Sequence, residues 1–160
     1  MLKQSFTLFM EPYMPRIPRL LIEDQPTTYH VMSRSCRDGY PLDEYEKEFL
    51  LSLIKQFSAI YFCEILGFCI MGNHFHILLR MMPSSAISDE TMLARYQTVF
   101  STKTTPTEQR FNALREKWTS LSAFMKDIKQ NFSRNYNKRH NRTGYFWGDR
   151  FKSVIVQDGQ

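Results

Sequence analysis

The chain has 160 residues, of which 42% are hydrophobic and 23% charged, values that are typical of one globular domain and exclude a disordered protein. No stretch approaches the roughly 18 consecutive apolar residues of a membrane span, and Glu11 and Pro12 interrupt the apolar N-terminus before a secretory leader forms. The net charge of +5 is modest as a total, so its distribution along the chain is more informative.

The cysteine content favours a reducing compartment. Cys36, Cys63 and Cys69 are odd in number and include no Cys-x-x-Cys pair. Two of them lie in an apolar run, so we interpret all three as reduced core residues without a function. The expected location is the cytoplasm.

Positive charge is concentrated near the C-terminus. Residues 126–152 contain eight basic and two acidic residues, a net charge of +6 that exceeds the total of the chain. Aromatic residues are interleaved with the basic ones, which fits a surface that contacts a phosphate backbone and stacks bases. A solvated helix face with buried aromatic residues is the alternative, and composition does not decide between the two. The basic residues are Lys126, Lys129, Arg134, Lys138, Arg139, Arg142, Arg150 and Lys152.

The N-terminal part is predicted to contain an arm and a strand. Residues 1–18 are rich in proline without periodicity and predict an irregular arm, followed by a short strand at Arg19–Ile22. Thr27–Arg34 is rich in β-branched and aromatic residues and predicts the first main strand. His30 lies within it, and we interpret this residue as a wedged or exposed histidine rather than a ligand.

A helix and a hairpin are predicted next. Apolar residues recur at helical spacing from Asp43 to Phe57, which predicts an amphipathic helix with one face on a sheet. The apolar run Tyr61–Met71 predicts the second strand. Because Gly72 and Asn73 favour a tight turn, the strand that begins at His74 is expected to pair antiparallel with the second.

The third strand carries two histidines one residue apart. Side chains alternate between the faces of a strand, so His74 and His76 should project together while Phe75 and Ile77 face the opposite layer. Two neutral imidazoles that converge from one strand can hold a divalent metal in an open site. Two histidines on a wet sheet face are the alternative interpretation.

The last part of the chain is predicted to contain an insertion, a helix and a strand. Residues 83–109 are weakly periodic, with a short helix at Asp89–Tyr96. Helical spacing over Leu121–Tyr136 predicts a second long helix, and Tyr145–Val156 predicts the final strand. The order strand, helix, strand, strand, helix, strand favours an α+β, ferredoxin-like antiparallel sheet with helices packed on one face.

These elements together resemble a known family. Their combination resembles the REP-associated tyrosine transposases, which are IS200-like single-strand DNA transposases of the HUH endonuclease superfamily. The resemblance covers about residue 19 to the end, and it implies a transposase domain at 19–160 in a bacterial cytoplasm. The motifs that carry it are Tyr29-His30-Val31-x-Ser33-Arg34, Met71-x-Asn73-His74-x-His76-x-Leu78-Leu79 and Phe132-Ser133-x-x-Tyr136-Asn137-x-Arg139-His140-x-Arg142-x-Gly144-x-x-Trp147-x-x-Arg150-Phe151-x-Ser153-Val154.

The resemblance implies a mechanism. His74, His76 and a third polar ligand would hold Mg²⁺ or Mn²⁺ against the scissile phosphate. A tyrosine hydroxyl would attack the phosphorus, giving a 5′-phosphotyrosine link and a free 3′-hydroxyl, and reversal would rejoin strands without ATP. The implied partner is a REP-like single-stranded DNA hairpin, bound by a monomer or a homodimer.

The sequence departs from the family pattern at its C-terminus. In the family, the nucleophile lies in a Tyr-Ile-x-x-Asn-Pro-Val segment on a helix after the last strand, and its asparagine is the third metal ligand. No such segment follows position 150, so we expect the nucleophile helix to be missing from this chain. In a different register Tyr136 would be the nucleophile, with Asn137 or Gln130 nearby, although its spacing from Phe132 also indicates packing.

Seven residues are predicted to contact DNA, and other functions stay open. Trp147 can stack a base or anchor the last strand in the core. A catalytically inactive single-strand binder is one alternative, and a relaxase is another, although relaxases usually have longer chains and a third clustered histidine. The predicted contacts are Arg34, Lys138, Arg139, Arg142, Trp147, Arg150 and Lys152.

Overall fold

The computed structural model describes residues 21–22 and 24–156, so the predicted arm at 1–18 lies outside the described residues. Of the predicted strand at 19–22, only Leu21 and Ile22 are described, and neither is in a strand. The Tyr29 hydroxyl accepts a hydrogen bond from the Ile22 amide and donates one to the Ile22 carbonyl. The α-helices and strands of the described chain are β1 (Thr27–Arg34), α1 (Glu44–Ile60), β2 (Cys63–Ile70), β3 (His74–Met81), α2 (Asp89–Phe100), α3 (Glu108–Trp118), α4 (Leu121–Arg139) and β4 (Lys152–Val156), with one short 3-10 helix at Ser84–Ala86.

The four strands form one antiparallel sheet in the order β2-β3-β1-β4. This is the α+β, ferredoxin-like arrangement that the element order predicts, with β2 and β3 joined as a hairpin. The two central strands, β1 and β3, pair along their whole length from Thr27 opposite Met81 to Arg34 opposite His74. The register therefore fixes which residues of the two strands are neighbours.

One face of the sheet forms the core. Alternate residues of β1 and β3 are buried, as the period of two in a strand requires. Helices α1 and α4 pack on this face, and the Trp147 ring lies 5.3 Å from both Phe75 of β3 and Phe132 of α4. Each fully buried large side chain of this kind contributes about 1.5–3 kcal/mol through loss of its apolar contact with water.

The helices begin at side chains that cap them. Asp43, Ser88, Thr107 and Ser120 each accept a hydrogen bond from the backbone amide three residues later, which satisfies an amide that has no partner within the helix. After α4 ends, Gly144 has a φ of +87°, a conformation that glycine adopts without strain and that turns the chain back along the helix.

Several local predictions differ from the structure. The final strand is shorter than predicted, because Tyr145–Phe151 forms a loop and β4 begins at Lys152. Helix α2 extends the predicted short helix, whereas α3 is a helix that the sequence analysis missed. The prediction that all cysteines are buried is wrong, because Cys36 and Cys69 are exposed.

No helix within the described ranges is long and apolar enough to cross a membrane.

Candidate functional site

Three histidines lie on the sheet face opposite the core, which we call the histidine face. His74 and His76 project to the same side of β3, as their spacing predicts, and both are half-buried. His30 of β1 joins them because Met32, two residues further along β1, is opposite His76 in the antiparallel register. The His76 ring centroid lies 5.0 Å from that of His30 and 5.2 Å from that of His74.

Hydrogen bonds orient both histidines of β3. The Asn73 Oδ1 lies 2.7 Å from His74 Nδ1, and since an amide oxygen only accepts, the imidazole Nδ1–H donates. His76 Nδ1 lies 2.9 Å from His30 Nε2, so one of these two rings donates to the other. When His76 donates, both rings of β3 have their Nδ1–H engaged and their Nε2 lone pair available. Neither Nε2 atom has a hydrogen-bond partner in the described part of the chain.

This donor set fits a divalent cation held in an open site. Metal-binding histidines are neutral and commonly donate the other ring N–H to a neighbouring acceptor, which is the arrangement of His74 with Asn73. Burial and the neighbouring imidazoles of His30 and His74 lower the pKa of His76 below its usual 6.5, which favours the neutral form. Among the described residues, no group of three or more His, Cys, Asp or Glu is arranged to hold a metal. The histidine face therefore supplies two ligands, and further oxygen ligands have to come from elsewhere.

Basic residues flank the histidines on the same face. Arg34 is opposite His74 in the register, and Lys152 of β4 is opposite Met32, so both side chains share the histidine face. Both are exposed. Arg80 lies on the same face of β3 and forms an ion pair with Glu64 at 3.4 Å. This side of the sheet therefore combines two orientable imidazoles with positive charge.

Comparison with known proteins then identifies the family. The family model described as transposase IS200 like matches residues 25–120, which is more than half of the chain and includes His30, His74 and His76. The chain belongs to the IS200-like transposase family. The comparison with curated proteins gives no match.

Two solved structures match the chain at low sequence identity, and one of them, with a TM-score above 0.5, has a similar fold. A REP-associated tyrosine transposase bound to a REP hairpin superposes with a TM-score of 0.56 at 13% identity, covering 91% of this chain and 64% of that protein. A candidate transposase from Deinococcus radiodurans R1 has a TM-score of 0.49 at 12% identity, covering 91% of this chain and 88% of that protein. This IS200-like chain thus spans less than two thirds of the length of the REP-associated protein.

The structure does not bring Tyr136 to the histidines of this IS200-like transposase. Tyr136 is buried on α4, with its ring stacked on His140 at 4.1 Å and close to Phe146 at 4.4 Å. Helix α4 packs on the core face, whereas His74 and His76 project from the opposite face of the sheet. A phosphate beside the two histidines is therefore separated from the Tyr136 hydroxyl by the sheet itself.

The three basic residues at the end of α4 have different environments. Arg139 is held by the buried Glu46, with its Nη1 atom 2.6 Å from Glu46 Oε1, and its guanidinium lies 3.7 Å from the centre of the Tyr45 ring. Its charge is therefore engaged within the protein. Lys138 and Arg142 are exposed at the same end of the helix.

Trp147 and Arg150 lie in the loop that precedes β4. Trp147 is 8% exposed, and its indole N–H donates to the Lys129 carbonyl at 3.1 Å. These contacts place it in the core, the second of the two roles that the sequence allows, and leave little of its ring surface for a base. Arg150 is exposed and lines a cleft beside α4.

Some residues of the site were not predicted from the sequence. His30 was interpreted as a wedged or exposed histidine, and its contact with His76 depends on strand register rather than on local spacing. Asn73 was assigned only a turn role, although its side chain accepts from His74. The position of an asparagine directly before the first histidine is the sequence feature that could have indicated this hydrogen bond.

Proposed function

We propose that this IS200-like transposase binds structured single-stranded DNA at the histidine face. We further propose that it cuts and rejoins that DNA with Mg²⁺ or Mn²⁺ through a 5′-phosphotyrosine intermediate. The observation that carries the proposal is the pair of half-buried imidazoles on the sheet face opposite the core, with both Nε2 atoms unpartnered in the described chain. The related fold of a protein bound to a REP hairpin supports a hairpin as the class of partner.

The residues of the histidine face would have three roles: binding the cation, orienting the imidazole rings and aligning the DNA backbone. His74 and His76 would hold the cation through Nε2, while Asn73 and His30 keep the rings turned toward it. When bound, the cation would neutralise charge on the phosphoryl oxygens. Arg34 and Lys152, exposed on the same face, would attract and align the DNA backbone.

The chemical step requires a tyrosine hydroxyl in line with the scissile bond. Its oxygen would give up its proton to water and bond to phosphorus as the bond from phosphorus to O3′ breaks, and the departing O3′ would take up a proton from water, so protons balance. Tyr136 is on the wrong face of the sheet for this role. We therefore propose that the nucleophile is another tyrosine, and that the histidine face is where it has to act.

The position of Tyr136 also favours a second candidate function, a single-strand binder that does not cut. Such a protein would bind a hairpin without using the imidazole pair. Replacing His74 and His76 by alanine would then leave DNA affinity unchanged.

The experiment is incubation of the purified chain with a labelled REP-type hairpin and Mn²⁺, followed by denaturing electrophoresis. A covalent adduct that is lost in His76→Ala supports the cutting function, and mass spectrometry of the adduct identifies the tyrosine. Tyr136→Phe should form as much adduct as the wild type, whereas Tyr40→Phe and Tyr145→Phe test the two tyrosines that are more than 80% exposed.

The outcomes separate the candidates. Salt-sensitive binding with no adduct, unaffected by His76→Ala, supports the binder that does not cut. Absence of any binding to structured single-stranded DNA contradicts both.

A further inference from the structure

A cleft of about 1300 Å³ lies between α4 and the loop Gly144–Phe151. Two hydrogen bonds hold the loop in place. The Trp147 indole N–H donates to the Lys129 carbonyl, and the Gly148 amide donates to the Arg34 carbonyl at 3.0 Å. The volume of the cleft exceeds the roughly 300–1000 Å³ of most small-molecule sites, which favours an extended ligand. The polar side chains that α4 contributes are Ser122, Lys126, Lys129, Gln130, Ser133, Arg134 and Asn137.

The charge of the cleft indicates a polyanion. Its lining contains three exposed basic residues, Lys126, Arg134 and Arg150, and one acidic residue, Asp149. A fourth basic residue of the lining, Lys129, donates through Nζ to the Asp149 carbonyl at 2.7 Å, so its charge is partly engaged within the protein. Lys126 and Arg134 are exposed and eight residues apart on α4, so a rise of about 12 Å separates them along the helix axis. A row of cations of this length matches a chain of phosphates better than one phosphate group.

The wall opposite α4 offers an aromatic surface. Tyr145 is 88% exposed at the cleft, so its ring is available for base stacking. Asn137 donates through Nδ2 to the Gly144 carbonyl at 2.9 Å. This hydrogen bond fixes the start of the loop against the end of α4.

The loop that forms one wall of the cleft lies beside the end of β1 that is opposite His74. Ser35 pairs with Trp147 in an isolated bridge, and Cys36 donates to the Phe146 carbonyl at 2.9 Å, so the loop lies directly beside the end of β1. The Ser35 amide also donates to the Asn73 carbonyl at 2.9 Å, one residue before His74. One short stretch of chain thus connects the wall of the cleft to the imidazole pair.

We propose that this cleft anchors a single-stranded DNA segment, with phosphates along α4 and a base on Tyr145, and that the strand continues from there to the histidine face. The inference rests on the proposed function for the direction in which the strand runs. Binding in the cleft requires neither a metal nor a nucleophile, so it can be tested separately from cutting.

The test is fluorescence anisotropy with labelled oligothymidine and with the hairpin, without added metal, over a range of salt concentrations. Tyr145→Ala should weaken binding about tenfold, whereas Tyr145→Phe, which keeps the ring, should stay within about twofold of the wild type. Arg134→Gln should reduce the slope of log affinity against log salt by about 0.7, the value for one lost phosphate contact on a single strand. Lys55→Gln, an exposed cation of α1, is the matched control and should leave the slope unchanged.

Three results would overturn the inference. They are wild-type affinity in both Tyr145→Ala and Arg134→Gln, a slope change in Lys55→Gln equal to that in Arg134→Gln, or tighter binding of oligouridine than of oligothymidine.

Ultraviolet crosslinking gives a second measure, since the wild-type crosslink should map to the peptide that contains Tyr145. The effect of Tyr145→Ala on oligothymidine affinity should be the same in the His76→Ala background as in the wild type. Loss of cutting in His76→Ala, with this Tyr145 effect retained, separates the proposed function from this inference.

Discussion

The His30 side chain should control the affinity of the imidazole pair for a cation. In His30→Ala the imidazole whose Nε2 lies 2.9 Å from His76 Nδ1 is removed, so the His76 ring loses the contact that fixes its orientation and tautomer. Loss of a partner of this kind typically weakens metal binding 10- to 100-fold. His30 is exposed and water can replace part of the contact, so we expect the lower end, about tenfold, or about 1.4 kcal/mol.

Isothermal titration with Mn²⁺ measures this change, and the long-range ¹H–¹⁵N spectrum of the imidazoles reports the tautomer. The wild type should show His76 protonated at Nδ1, and His30→Ala should show a mixture of tautomers. His140→Ala is the matched control. It also removes one histidine, but His140 contacts Glu46 on the core side and lies away from the imidazole pair. Unchanged Mn²⁺ affinity in a folded His30→Ala variant would refute the reasoning.

Three further substitutions test the assignments of other residues. In urea denaturation, Glu46→Gln should lower the free energy of unfolding by about 1–3 kcal/mol, because the buried carboxylate holds Arg139 at 2.6 Å. Glu44→Gln, which removes an exposed ion pair on the same helix, should change the free energy of unfolding by less than about 0.5 kcal/mol. Trp147→Phe removes the indole hydrogen bond and should lower the free energy of unfolding by about 1 kcal/mol. Hairpin affinity, measured by anisotropy, should stay the same. A large loss of affinity would indicate that the Trp147 ring stacks on a base. Tyr136→Phe should form adduct at the wild-type rate, and loss of the adduct would mean that the buried hydroxyl reaches the DNA after all.

The sequence was sufficient to predict the features that depend on local periodicity. The alternation along β3 predicted that His74 and His76 share a face opposite Phe75, because a strand repeats every two residues. The turn at Gly72 predicted the hairpin of β2 and β3. Both are consequences of neighbouring residues, and the order of such elements was enough for the fold class.

Features that depend on distant residues were not predictable in the same way. The contact of His30 with His76 spans 46 positions and exists only because β1 pairs with β3 in one register. The loop before β4 contains aromatic residues, a composition that predicts a strand. In the structure Phe146 and Trp147 pack into the core beside α4, and the chain bends away from the sheet. Helix α3 was missed because most of its residues are polar and exposed, so its apolar periodicity is weak.

The claim that the imidazole pair holds a divalent cation can be tested most directly by paramagnetic broadening. Substoichiometric Mn²⁺ added to ¹⁵N-labelled protein should broaden the amide signals of residues 73–77 and of the facing residues of β1, and leave Ile128 on the core side of α4 sharp. His76→Ala should abolish the broadening. Broadening that centres on acidic surface residues instead, or that persists in His76→Ala, would contradict the account.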